Sequence, residues 1–258
     1  ERENTPIPCA CSETDGVRIL FHDIFTSGIC YIDIGLNLHM LPQERLACVP
    51  LLGRALIESG TAREDFITLS QRIGQATGGI RPQTFASAVH RSPEGAVWLL
   101  LRGKALYRQV PELLSILSDV LLTPRLDDRE RIRQLLAEEK ASAEQRLIPH
   151  GHQVVASRLR ARFHEADWAE EQMNGCSYLL FLREHDGNHG ELCGMLEQMR
   201  ETLVTRAGMI INVTADAGAW KEIEPHLGEF ISRIPDKSAQ PVAWRVQPPP
   251  EEALCAPS

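Results

Sequence analysis

A chain of 258 residues, 43% hydrophobic and 24% charged, has the length for one large domain or two small ones and the composition of a soluble globular protein. Its formal charge of −8 argues against a nucleic-acid-binding surface, because phosphate contacts need clustered excess lysine and arginine; basic or neutral ligands fit better. No stretch reaches the roughly 20 uninterrupted apolar residues of a membrane helix, and the opening "ERENTPIPCACSE" lacks the charged-then-apolar pattern of a signal peptide.

Residues 1–15 are polar, contain proline and read as a linker. Residues 16–38 read as a β-hairpin, two β-rich runs separated by "TSG". In the second run Ile32, Ile34, Leu36 and Leu38 alternate with Asp33, Gly35 and Asn37, so one face is buried and the other polar. Pro42 opens a helix in which Leu46, Val49, Leu52, Leu56 and Ile57 recur at helical spacing until Gly60. Thr61 caps a second helix, with Glu64 as its capping-box partner and Gly78 and Gly79 ending it. "IRPQTFASAVH" and "AVWLLLRGKAL" follow as strands joined around "RSPEG", with Pro82 suited to a strand start or an edge.

Helical patterns then cover 110–122, 127–147, about 151–163, about 167–184 and 191–204, with Asp127 or Asp128 capping the longest. Residues 208–216 read as a late strand and 217–234 as a helix that Pro225 either kinks or opens. The order predicts an α+β fold, with helices on one face of a mainly antiparallel sheet, and a proline-rich ending.

The chemistry-bearing residues are sparse. Seven cysteines show no CxxC pairing; Cys30 and Cys48 lie in apolar patterns as small hydrophobes, and the compartment implied is a reducing cytoplasm. His150 and His152 in "PHGH" suit a solvated turn, "HDGNH" holds glycine and asparagine between His185 and His189, and His164 and Glu165 precede an Asp167–Glu170 helix start. A metal site built from His150, His152, Cys9 and Cys11 is the weakest reading. "RLRARF" spreads Arg158, Arg160 and Arg162 round a helix, which predicts a solvated surface. There is no G-x-S-x-G, Walker A, G-x-G-x-x-G, H-E-x-x-H or H-x-x-E-H sequence.

The run from "DGVRILFHDIFTSGICY" through "ALIESGT" to "TGGIRPQTFASAV", with "RLDDRERIRQLLAEEKA" and "GHQVVASRLRARF" after it, resembles the pitrilysin and insulinase family of zinc metallopeptidases, and more narrowly its presequence-protease branch. The matching stretches are His22 to Tyr31, Val49 to Leu52, Gly60 to Thr61 and Thr77 to Ile80, which in that branch belong to the third of four homologous domains. The resemblance implies a parent enzyme whose first domain holds zinc on an H-x-x-E-H helix and a downstream glutamate, the motif glutamate activating a water, while two halves close around an unfolded peptide.

Carried onto this chain, the two histidine places fall on Leu51 and Ala55 and the place of the base on Arg54. The downstream ligand's place falls near Glu138 or Glu139. Leucine and alanine cannot ligate zinc, and arginine is no base near neutral pH. The expectation is therefore a non-catalytic domain over 16–240 with a linker at 241–258, where "EEALCAPS" resembles the entry to a fourth domain. No catalytic, cofactor-binding or metal residue is assigned, and zinc belongs to the parent's first domain. The expected partners are the other domains of the same polypeptide and unstructured peptides, cationic ones favoured by the negative charge. The rival expectation is an inactive scaffold subunit with no peptidase in its own chain.

Overall fold

Alternation of apolar and polar residues along six segments builds one sheet in the computed structural model, which describes residues 7–238 and 240–246. The strands are β1 (Ala10–Thr14), β2 (Val17–Asp23), β3 (Ile29–Asn37), β4 (Ile80–Ala88), β5 (Gly95–Leu106) and β6 (Met209–Ala215), in the spatial order β1-β2-β6-β3-β5-β4. β2 and β6 run parallel; every other adjacent pair is antiparallel. The helices are α1 (Val49–Glu58), α2 (Phe66–Ala76), α3 (Val110–Leu122), α4 (Arg129–Leu147), α5 (Gly151–Arg160), α6 (Glu165–Asn174), α7 (Cys176–Glu184), α8 (His189–Leu203) and α9 (Ala217–Arg233). The fold is α+β.

Register places Ile19, Ile211, Ile34 and Leu101 in one row and Phe21, Val213 and Ile32 in the next. This face is buried under the helices, with α1, α3 and α6 against β4 and β5. The opposite face carries Arg18, His22, Asn212, Asp33, Arg102 and Lys104 and is only partly covered. One layer of helices on one layer of sheet thus leaves open a mixed face, in which Ile210, Trp98 and Leu100 pack over Gly35 among these polar residues.

Several local expectations are corrected. Residues 16–38 form two strands but no hairpin, because β6 lies between β2 and β3. The "TSG" connection instead passes over the end of β6, where Asp216 accepts from the Thr26 amide at 3.3 Å and Ile24 N donates to the Ala215 carbonyl. The helix begun at Pro42 is first a 3-10 segment, Gln43–Cys48; α1 starts only at Val49, since Pro50 has no N–H to continue an α-helix from the preceding turn. Asp65, not Thr61, caps α2, accepting from Thr68 N at 2.8 Å. Residues 167–184 are two helices broken at Gly175, with His164 rather than Asp167 capping the first.

The expected linkers also change. Residues 10–14 pair with β2 as an edge strand. Residues 241–246 lie against the fold: Trp244 is buried, donates Nε1 to the Leu41 carbonyl at 2.9 Å and stacks on His39 at 4.0 Å. His39 Nε2 in turn faces Glu165 Oε1 at 3.0 Å. "EEALCAPS" and the remainder of that expected linker lie outside the described residues. No helix among the described residues is long and apolar enough to cross a membrane.

Candidate functional site

The helix in the place of the zinc motif is packed on three sides. Leu51, Leu52, Ala55 and Leu56 are fully buried. Gly53 lets α1 lie directly on β4: a Cβ there would stand 2.9 Å from Pro82 Cβ and 3.2 Å from Leu99 Cδ1. At its C-terminal end Gly60 adopts φ 84°, a left-handed turn that glycine tolerates and in which a Cβ would meet the Glu64 carbonyl at 2.8 Å. The chain then bonds to the α3–α4 connection, Ala62 N to the Thr123 carbonyl at 2.8 Å and Arg125 N to the Gly60 carbonyl at 3.0 Å.

Arg54 and Glu58 are the charged residues of α1, and they leave this packing together. The Arg54 guanidinium donates to both oxygens of Glu58, at 3.0 and 2.7 Å, to Glu138 Oε2 at 2.7 Å and to Glu139 Oε1 at 3.0 Å. Glu139 also accepts from the Tyr178 hydroxyl at 2.9 Å. Arg131 donates to the Glu58 carbonyl at 2.7 Å and lies over the Phe66 ring. The Glu58 hydrogen bonds, with Glu138 and Glu139 behind them, hold Arg54 above its ordinary pKa against the opposing effect of burial. Burial first, then the Glu139 carboxylate, raises the Tyr178 phenol, so neither group exchanges protons near neutral pH.

The site does not fit zinc. Two of the three motif positions are fully buried hydrocarbon, and the carboxylates at the downstream ligand's place are committed to a guanidinium and a phenol. A fixed protein cation stands among these carboxylates. Proximity of position 54 to Glu138 and Glu139, carried over from the resemblance, is what the structure shows; Glu58, Arg131 and Tyr178 were missed. The Arg54–Glu58 spacing of four on a helix was the one visible signal of the cluster.

The histidines do not converge. His150 precedes α5 and His152 lies within it, both exposed, while His185 ends α7 with Nδ1 against the Phe181 carbonyl and His189 opens α8. His164 Nδ1 accepts from Ala166 N at 3.0 Å as a cap. Among the described residues no group of three or more His, Cys, Asp and Glu could hold a metal ion, so His150, His152, Cys9 and Cys11 do not assemble. "RLRARF" is not simply solvated: Arg158 donates to Glu171 Oε1 at 2.7 Å, and Glu171, fully buried at the α6–α7 break, also accepts from Ser177 N and Oγ.

A family model described as "Peptidase M16-C associated" matches residues 1–184. Presequence protease 1, chloroplastic/mitochondrial, of Arabidopsis thaliana is 32% identical over 248 residues, covering 94% of this chain and 23% of the plant protein. Protein HypA of Clostridium perfringens is 25% identical over 237 residues, 90% of this chain and 24% of that protein. The chain thus spans about a quarter of the length of these curated relatives. Among solved structures, a peptidase M16 inactive domain from Pseudomonas fluorescens superposes with a TM-score of 0.60 at 12% identity, over 93% of this chain and 53% of that one. A conserved protein from Enterococcus faecalis V583 gives 0.62 at 13% identity, over 86% and 52%. At those identities the solved structures show a shared fold, while the family model, extending over most of the sequence, shows kinship: the chain belongs to the peptidase M16-C associated family, in the presequence-protease branch of the pitrilysin-type peptidases.

Proposed function

We propose that this chain is a non-catalytic domain of a zinc metalloendopeptidase that degrades unstructured peptides, forming part of the wall of a closed peptide chamber while zinc and the catalytic glutamate belong to another domain of the same polypeptide. The observation that carries the reading is the clamp on Arg54: a helix in the position of the zinc helix presents buried Leu51 and Ala55 and a guanidinium held by three carboxylates. Such a helix can pack and position neighbours, and it has neither ligands nor base. The relatives' printed names support a protease context, and the open sheet face supplies a surface for a wall.

The compartment we propose is the reducing cytoplasm expected from a cysteine pattern without CxxC pairing. The test is a peptidase assay on the purified chain with an unstructured fluorogenic peptide, with zinc added and with chelator. The expected result is no turnover in either case. Zinc-dependent, chelator-sensitive cleavage that survives repurification would overturn the non-catalytic assignment.

A further inference from the structure

The "TGG" turn that ends α2 has a consequence on the open face of the sheet. Thr77 Oγ1 donates to the Ile73 carbonyl at 2.7 Å and accepts from Gly79 N at 2.9 Å, and Gly79 takes φ 108°. Gly78 N donates to the Lys104 carbonyl at 2.7 Å. The Lys104 stem runs across Gly78 so closely that a Cβ there would stand 2.9 Å from Lys104 Cγ and Cε. The absent side chain at Gly78 thus leaves room for the apolar stem of Lys104 to lie along the turn.

Beside it, β4 and β5 place Arg81 directly opposite Arg102, with Lys104 two residues on and facing the same way. Like charges directly opposite on a sheet oppose the pairing that brings them together. Arg102 is answered by Asp33, at 3.1 and 3.4 Å, and by Gln83 at 2.9 Å. Arg81 and Lys104 have no hydrogen-bond or ion-pair partner for their side chains among the described residues. Together with Tyr31, Asp33 and Gly79 these three cations line a hollow of about 210 Å³. Gly78 and Lys104 also wall a second hollow of about 310 Å³, lined by the apolar Ile29, Ala76, Ala105 and Leu106 and by the polar Gln75, Arg108 and Gln109. Excess positive charge persists here in a chain of net charge −8.

We propose that Arg81 and Lys104 form a binding site for a peptide carboxylate, with the apolar side of the adjoining hollow taking the side chain next to it; a free C-terminus ending in an apolar residue supplies both. Two uncompensated cations, one with its stem lying along Gly78, answer one anion, and guanidinium with ammonium gives charge-assisted hydrogen bonds of different geometry to its two oxygens. The hollow beside them is large enough for a leucine-sized side chain, so charge and apolar contact act on the same residue of the ligand. This rests on the chamber-wall reading above and narrows it: the wall holds a peptide by its acidic end.

The experiment is a ¹H–¹⁵N titration of the whole chain with a short unstructured peptide that lacks Asp and Glu and ends in leucine, as the free acid and as the C-terminal amide. The expected result is that the acid binds about tenfold more tightly, with the amide signals of Gly79, Arg81 and Lys104 moving first, and that R81Q and K104Q each weaken the acid severalfold and leave the amide unchanged. An amidated peptide carrying one internal Glu, if it matches the free acid, assigns the site to side-chain carboxylates and still supports a carboxylate site. Equal binding of acid and amide, insensitive to R81Q and K104Q, overturns the carboxylate site and leaves the chamber wall standing. Absence of binding by any of the peptides overturns the wall reading and the site with it. Arg81 and Lys104 are exposed, so unchanged thermal unfolding of both variants confirms that binding, not folding, is being read.

Discussion

Arg54 and Arg81 stand on opposite layers of the same fold and teach opposite lessons about charge. Arg54, on α1, is 22% exposed and meets Glu58, Glu138 and Glu139 within 3.0 Å. Arg81, on edge strand β4, meets another arginine across the sheet and has no ion-pair partner among the described residues. The first charge is answered by its own chain and therefore serves structure. The second is left to solvent or to a ligand, and that is the arrangement expected of a binding surface. The place that looks catalytic by descent is closed, and the place that no motif marked is open.

Removal of Arg54 has the largest expected effect on the closed layer. Arg54→Ala leaves Glu139, 16% exposed, and half-buried Glu58 without their cation, beside a third carboxylate. The expected loss is about 2–4 kcal/mol in urea-induced unfolding, nearer the lower figure because Arg131 remains by Glu58. Arg54→Lys should recover only part of it, since an ammonium cannot bridge Glu58 and Glu139 in the same geometry. Zinc added to either variant should leave the unfolding midpoint unmoved; a rise would show that the carboxylates can hold metal once freed.

Next in size is the seat of α1 on the sheet. Gly53→Ala puts a methyl 2.9 Å from Pro82 Cβ, and neither a strand proline nor a fully packed helix gives way easily. A loss of about 1–3 kcal/mol in the same unfolding experiment is expected. A neutral result would mean that α1 can slide on β4 and that the helix layer is not fixed.

Sequence patterns carried much of this architecture. Alternation in Ile32, Ile34 and Leu36 marked the buried face of β3, Asp128, one of the two caps expected, caps α4, and Pro82 sits on an edge strand. What failed was non-local. A hairpin reading of 16–38 could not see that β6, some 170 residues later, would enter between its two strands, because periodicity reports which face is buried and not which neighbour buries it. The Arg54 cluster was half visible: its i,i+4 glutamate is in the local sequence, whereas Tyr178 and Arg131 arrive through packing of α7 and α4. The Arg81–Arg102 pair was wholly hidden, since it exists only through the β4–β5 register.

On the open side the expected effect on stability is small and of opposite sign. Arg81→Gln removes a like-charge neighbour of Arg102 at an exposed edge, so stability should hold or rise by a few tenths of a kcal/mol, most at low salt. A loss comparable to that of Arg54→Ala would show that Arg81 is structural and would erase the distinction between the two layers.

The buried thiols act on stability through their ionisation only at high pH. Burial pushes the Cys48 thiol up to about 12, against the opposing charge of Arg45, and burial alone does the same to Cys30. Because both folded-state values lie above the unfolded value near 9.0, the stability they contribute is complete below pH 9 and is lost as pH rises toward 12. Each thiol should therefore steepen the alkaline limb of the unfolding free energy by up to about 1.4 kcal/mol per pH unit in that window. Cys48→Ala should flatten the limb while lowering stability at neutral pH through the lost packing of its buried side chain. Iodoacetamide at pH 8, followed by peptide mapping, should modify exposed Cys9 and Cys11 and spare Cys30 and Cys48 until denaturant is added. Labelling of Cys48 in the folded protein would mean that the segment leading into α1 opens readily. The closed layer would then be no more closed than the sheet face opposite.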